Sequence, residues 1–344
     1  MGIRQLANEL QLSIGTVSRA LNDRPDVNPE TRARVKEAAA RAGYVPNQSG
    51  RSLRSGRTGI VAAVIPTGKF ASNTDAGLFT ILEGVRRTLR RQALDLIVLF
   101  RGPDEDPLEN LQRIVQRRIA DAVIISETTA LDPRLAYLKA TGVDYVAFGR
   151  SAGIDDYPFV DFDFEAMALE AARIFAEQGH RRLAVAVSGR EMNYEAITAA
   201  EFAAEAARLG LDPDAVSVLP MQGSRLATAT RALFADPERA PTAILATHES
   251  IAAALYRDLA ELGLRVGVDV SVICIFPSVE TRALVPPLTH FDTDLDAVGT
   301  ALAEYLLALQ PDAPTGAVPR AATLVPLRFA PRASHGRLAR KVTA

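Results

Sequence analysis

Residues 13–22, Ser-Ile-Gly-Thr-Val-Ser-Arg-Ala-Leu-Asn, gather side chains suited to chemistry on a polyanion. Thr16, Ser18 and Arg19 supply two short hydroxyls and a planar fork of N–H donors. Such groups fit phosphate oxygens and the O6/N7 edge of guanine in a DNA major groove. Ile14, Val17 and Leu21 fall three and four residues apart, so a helix would turn them to one apolar side, opposite the polar three. Ser13 stands where its side-chain oxygen can cap that helix. Taken alone, the stretch also fits an ordinary amphipathic helix with a solvated polar face.

The flanking elements favour the DNA reading. Ile3, Leu6, Ala7 and Leu10 predict a first helix over 3–10, and Gln11-Leu12 is a connection of helix-turn-helix length. Asn28 as cap and Pro29 at the first helical position announce a third helix. Val35, Ala38 and Ala42 form its apolar side, and Gly43 stops it. Three short helices, the second with a polar reading face, describe a DNA-binding headpiece.

Three blocks then match one family in order and spacing. Thr16-Val17-Ser18-Arg19-Ala20-Leu21-Asn22, Val27-Asn28-Pro29-Glu30-Thr31-Arg32 and Gly43-Tyr44-Val45-Pro46-Asn47 resemble the LacI/GalR family of bacterial transcription regulators, and the resemblance runs to about residue 330. It implies that Thr16, Ser18 and Arg19 dock the second helix in the major groove, with Arg19 reading a base. Ile14 and Gly15 lie where the family's specificity side chains project. Both lack hydrogen-bonding side chains, so discrimination there would come from thymine-methyl contact or close approach. Asn22 and the Arg32/Arg34 pair are expected at phosphates, and Tyr44 and Asn47 are counted with the DNA-binding surface.

By composition, residues 47–57 are a flexible basic linker. The resemblance implies a hinge helix that folds there when two subunits meet on DNA. Leu53 would wedge into the minor groove, with Arg51 and Arg54 near the backbone. Gly50 stands where the family usually has alanine, and glycine costs a helix about 1 kcal/mol.

Composition agrees with a two-part chain of 344 residues, 48% hydrophobic and 23% charged. Net charge is −2, unevenly spread: residues 1–58 hold ten Lys/Arg against five Asp/Glu, a balance of +5, and the remainder holds 29 against 36, a balance of −7. A basic module on an acidic body suits a nucleic-acid binder with a separate sensor. The single cysteine, Cys274, lies in an apolar run, which excludes an intrachain disulfide framework and fits a reducing cytoplasm. No 18-residue apolar stretch and no signal-peptide h-region occur, so no membrane partner is expected.

From residue 58 the pattern changes to alternating strands and helices, with strands expected near 59–66, 95–100, 121–126, 144–149, 182–188, 216–221, 243–247, 270–276 and 323–329. The expected fold is α/β: an N-terminal helix-turn-helix headpiece (1–46), the hinge (47–57), and a two-lobed periplasmic-binding-protein-like effector domain (58–330). Lobe 1 is assigned 58–161 and 293–321, lobe 2 is assigned 162–292 and 322–330, and 331–344 is read as a disordered tail.

A ligand in such a fold gathers at the carboxyl ends of strands. There the chain departs from the family's sugar-gripping residues: Thr198 replaces an arginine, His248-Glu249 an Asn-Asp pair, Phe276 an aspartate, and Gly149-Arg150 an Asp-Arg pair. Gly77-Leu78 replaces an aromatic pair, between Asp75 and Phe79. The candidate effector contacts are Asp75, Phe79, Arg150, Asp163, Tyr194, Thr198, His248, Glu249 and Phe276. Asp163 also reads as a helix cap, Arg150 or Glu249 as a rim charge, and His248 as a structural histidine.

No phosphate-binding glycine loop follows a strand, neither GxSxG nor HExxH occurs, and the four histidines lack metal-ligand spacing. No catalysis, metal or cofactor is therefore expected. The sequence reads as a homodimeric repressor of double-stranded operator DNA under a small polar effector, a sugar by family likeness. A solute-binding protein is opposed by the headpiece. The alternative kept open is a ligand-independent DNA binder with an eroded pocket.

Overall fold

Short helices hold together only where caps and a shared core replace missing length, and the first unit of the chain shows both. The computed structural model describes residues 2–21, 23–24, 26–44, 56–67, 76–189, 192–212, 214, 216–220, 226–278, 281–310 and 322–337. The chain divides into two units, Met1–Gly59 and Ile60–Ala344.

In the first unit, helices α1 (Ile3–Glu9), α2 (Ile14–Leu21) and α3 (Pro29–Arg41) pack around Leu6, Val17, Ala20 and Val35, all fully buried. Gln11 adopts the left-handed conformation, φ 56°, that turns α1 into α2. Ser13 Oγ accepts the Thr16 N–H at 3.0 Å, and Asn28 Oδ1 accepts the Glu30 N–H at 2.8 Å ahead of Pro29. Both predicted caps are therefore made.

The second unit runs β1 (Ile60–Pro66), α4 (Ala76–Arg90), β2 (Asp95–Arg101), α5 (Pro107–Gln116), β3 (Ala122–Ile125), α6 (Pro133–Thr141), β4 (Asp144–Phe148) and β5 (Phe159–Phe162). It continues with α7 (Phe164–Glu177), β6 (Leu183–Val187), α8 (Asn193–Arg208), β7 (Val216–Pro220), α9 (Leu226–Leu233), β8 (Ala243–Ala246), α10 (Glu249–Glu261) and β9 (Ser271–Ile275). It ends with β10 (Thr289–Asp292), α11 (Leu295–Ala308), β11 (Ala322–Val325) and β12 (Arg328–Ala330).

Among the described residues the strands form two six-stranded sheets, ordered β11-β5-β4-β3-β1-β2 and β12-β10-β9-β8-β6-β7. The pairings are parallel except β10 with β12. Helices cover both faces, which is why β6 and β9 are apolar along their length and buried at every residue, Ser271 excepted in polarity. In the first lobe α11 lies so close to α4 that a Cβ at Gly299 would collide with the Ile81 carbonyl.

The chain passes between the sheets after β5, between β10 and α11, and between β11 and β12. The last crossing corrects the sequence reading of one strand over 323–329 in the second lobe. Pro326 interrupts it, Ala322–Val325 pairs with β5 in the first sheet, and Arg328–Ala330 pairs with β10 in the second. The short strands β5 and β10 were absent from the sequence pattern.

The tail also differs from expectation through residue 337. Ser334 is fully buried; its Oγ accepts the Thr289 N–H at 2.7 Å and donates to the Val272 carbonyl at 2.6 Å. His335 Nδ1 lies 2.8 Å from Thr289 Oγ1, and Gly336 O lies 3.0 Å from His180 Nε2. Polar and main-chain bonds hold this strap, so apolar periodicity could not reveal it. Arg340 and Lys341 lie outside the described residues.

Candidate nucleic-acid interface and ligand cleft

The two candidate sites belong to different units, the first on α2. Val17 and Ala20 face the core, while Ile14 is 45% exposed and Gly15 and Arg19 are exposed beside it. Thr16 and Ser18 are half-buried, and Thr16 Oγ1 lies 2.8 Å from Ser13 Oγ. Tyr44, the second residue of the third block, packs against the headpiece core. The helix thus presents an apolar, a small and a cationic residue on one outward face.

Arg32 departs from the phosphate role expected of it. Its Nη2 donates to the carbonyls of Arg24 at 2.7 Å and Val27 at 3.0 Å, stapling α3 to the loop after α2. Asp23 sits in the same knot: Lys36 Nζ donates to both of its oxygens at 2.6 and 2.8 Å, and that bond holds the carboxyl below its usual range. Asn22, Asn47, Arg51, Leu53, Arg54 and the hinge glycine Gly50 lie outside the described residues.

The second site is a cleft of about 920 Å³ within the second unit, lined from both sheets. The first lobe contributes the carboxyl ends of its strands, including Arg101, Glu127, Thr128, Phe148 and Arg150. The second contributes Met192 and Tyr194 at the start of α8, Thr247 to Glu249 after β8, and Phe276 after β9. Asp75 lies outside the described residues.

Tyr194, His248, Glu249, Phe276 and Arg150 therefore meet at one cleft, but Arg150 is already engaged. Its Nε donates to Asp161 at 2.8 Å, and Nη1 and Nη2 each donate to Glu165 at 2.7 Å. Burial pushes the Asp161 carboxyl up to about 6 against the pull of Arg150. Glu165 is partly buried too, yet the guanidinium holds it below the usual carboxylate range. Burial opposes the Arg150 charge, and bonds to Glu165 and Asp161 more than offset it, so Glu165 is the firmly charged partner.

Three other candidates leave the cleft wall. Thr198 is fully buried and its hydroxyl donates to the Tyr194 carbonyl at 2.8 Å, a bond within its own helix. Asp163 caps α7, accepting the Ala166 N–H at 3.0 Å. Phe79 is 65% exposed on α4 and does not line the cleft. His248 combines two roles: it borders the cleft and caps α10, its Nδ1 lying 2.8 Å from Ser250 Oγ and 3.3 Å from Glu249 Oε2.

The cleft floor is aromatic. Phe162 and Phe276 come from opposite lobes with ring centroids 4.7 Å apart, Phe148 meets Phe162 edge-on at 5.5 Å, and Tyr194 stacks on Phe164 at 5.0 Å. Phe276 holds φ 58°, an unusual conformation for a bulky residue, fixed by its N–H on the Phe291 carbonyl at 2.9 Å. Apolar faces flanked by hydroxyls, carboxylates and an imidazole can grip a ligand with C–H faces and a polar edge.

Sequence reasoning missed the residues that build the walls. Buried Glu195 accepts the Ser188 N–H at 2.6 Å, the Ser188 hydroxyl at 2.9 Å and the Thr247 hydroxyl at 2.8 Å, tying α8 to the ends of β6 and β8. Buried Arg134 donates through Nη2 to the Ser126 and Glu127 carbonyls at 2.9 and 3.0 Å, shaping the end of β3. Asn193 crosses the cleft, its N–H on the Thr128 carbonyl at 3.1 Å and its side-chain amide on the Arg150 carbonyl at 2.8 Å. The acidic residue in the first turn of α8 was the available signal for Glu195.

Among the described residues no three His, Cys, Asp or Glu side chains group as a metal site, and no helix is long and apolar enough to cross a membrane. Cys274 is fully buried, and burial pushes its thiol up.

Residues 3–47 match the family described as bacterial regulatory proteins, lacI family, and residues 172–335 match a periplasmic binding protein-like domain. The chain is similar to the HTH-type transcriptional regulator AglR of Rhizobium meliloti (strain 1021), 31% identical over 312 residues, covering 89% of this chain and 87% of AglR. Its fold is similar to that of a transcriptional regulator CelR–cellobiose complex, with TM-score 0.71 and 24% identity over 97% of this chain and 99% of that one. It is also similar to the lac repressor dimer bound to operator and the anti-inducer ONPF, with TM-score 0.79 and 19% identity over 98% and 99%.

Proposed function

This chain belongs to the lacI family of bacterial regulatory proteins, a family of DNA-binding transcriptional regulators, and from that premise we propose that it is a homodimeric repressor whose effector is a sugar or sugar derivative. Two headpieces would dock their α2 helices in successive major grooves of a pseudo-palindromic operator, Arg19 reading a base in each half-site. Effector binding in the cleft would shift the lobes and so the spacing of the hinges, coupling the two sites.

The observation that carries the sensor reading is the cleft itself, about 920 Å³ between two sheets with an aromatic floor. That volume accommodates more than one pyranose ring, and the similar CelR fold was solved with cellobiose. Phe79 and Phe100, 65% and 63% exposed on the first lobe, support a partner subunit there.

The test is thermal unfolding of the full chain against a panel of mono- and disaccharides. A ligand at a hundred times its Kd stabilises by about 2.7 kcal/mol, and a clear upward shift with one sugar supports the reading. No shift with any of them favours the ligand-independent regulator.

A further inference from the structure

The loop after α2 is fixed on both sides of Asp26. Arg24 donates its N–H to the Arg19 carbonyl at 3.1 Å, and Val27 donates to the Arg24 carbonyl at 3.2 Å. Arg32 then binds the carbonyls of Arg24 and Val27 from α3. Between these anchors, Asp26 Oδ2 stands 3.6 Å from Arg19 Nε. The closest approach is at Nε and not at the terminal Nη1/Nη2 edge, which is an edge able to fork onto guanine O6 and N7.

We propose that Asp26 is a specificity-positioning residue: it buttresses Arg19 through Nε so that the terminal edge is aimed at one guanine in each half-site. The inference rests on the reading of α2 as the major-groove helix with Arg19 on a base. In the free headpiece both side chains are more than half exposed, 53% and 61%, so the contact contributes little to folding. On DNA, where water is displaced, the same pair stiffens the arginine. A carboxylate near the backbone also repels phosphates, so Asp26 weakens binding wherever Arg19 lacks its base. Together the two effects sharpen discrimination at some cost in overall affinity.

The experiment uses the full chain and an operator duplex obtained by selection, with affinities measured at fixed salt. Every position is varied in turn, and each candidate guanine is also replaced by 7-deazaguanine, which lacks the N7 acceptor. The wild type is expected to lose on the order of tenfold to a hundredfold at one guanine per half-site. Asp26→Ala and Asp26→Asn should both shrink that ratio by about threefold to fivefold, leave the other positions unchanged, and bind random duplex more tightly. A role in loop shape alone would be rescued by Asn, so D26N retaining the full ratio overturns the proposal. So does a uniform affinity loss at every position. The premise is checked separately by Arg19→Ala: if R19A keeps its preference everywhere, the reading of α2 fails, whereas R19A losing one guanine while D26N and D26A keep it refutes the buttress alone.

Discussion

Asn193, at the start of α8 in the second lobe, donates its side-chain amide to the main-chain carbonyl of Arg150 in the first at 2.8 Å. The same residue donates its N–H to Thr128, and Thr129 bridges Met192, so one corner of the cleft is closed by protein–protein bonds. Arg150 cannot yield easily, since its guanidinium is fixed by Asp161 and Glu165. Lobe closure is thereby tied to the charged cluster beside the cleft.

Asn193→Ala should remove the side-chain bond and spare the backbone one, costing about 1 kcal/mol. Hydrogen exchange at residues 128–131 and 192–195 should rise several-fold while the cores of both sheets keep their protection. Unchanged exchange at these segments would show that the lobes are held together elsewhere.

Asp161 gives a pH signature of definite sign. Its carboxyl is raised from 3.8 to about 6 in the folded state, so between those values the folded chain holds the proton that the unfolded chain has lost. The contribution of Asp161 to stability therefore falls as pH rises from about 4 to 6 and is flat above. Relative to Asp161→Asn, the wild type should lose at most about 3 kcal/mol across that window. Glu165, held below its usual range, works in the opposite direction and is present in both proteins. Denaturant unfolding at several pH values reads the difference, and a difference growing with pH in favour of the wild type would contradict it.

The C-terminal strap is a structural element of the second lobe. Ser334→Ala leaves the Thr289 N–H without its acceptor and should cost about 1–3 kcal/mol in denaturant unfolding. His180 is buried beside it and His335 half-buried, and this burial lowers both from 6.5. Such neutral histidines contribute stability above that value, and it is lost as pH falls below it. Hydrogen-exchange protection along 332–337, taken relative to the intrinsic exchange rate at each pH, should accordingly fall on acidification. Protection independent of pH from 7 to 5 would exclude the histidines.

The headpiece was legible because its signals are local: three- and four-residue spacing, Ser13 as a cap, and Asn28 before Pro29. The strand–helix alternation was legible for the same reason. The partners of Arg150 were not, because Asp161 and Glu165 enter from the next strand and helix, and only their packing shows that the arginine is engaged. Thr198 misled because family position says nothing of which way a helix turns its hydroxyl. Glu195 and Asn193 look like ordinary polar residues of a first helical turn until β6, β8 and the other lobe are set around them. The split of β11 from β12 hinges on Pro326, which a run of strand-forming residues concealed.

Whether α2 reads DNA under the control of a sugar is decided by selecting operators from random duplexes with the full chain, with and without a panel of sugars. The expected result is an enriched pseudo-palindrome carrying one guanine per half-site that depends on Arg19, its enrichment changed by one sugar that also raises the melting temperature. Failure to enrich any sequence would contradict the claim that α2 reads DNA.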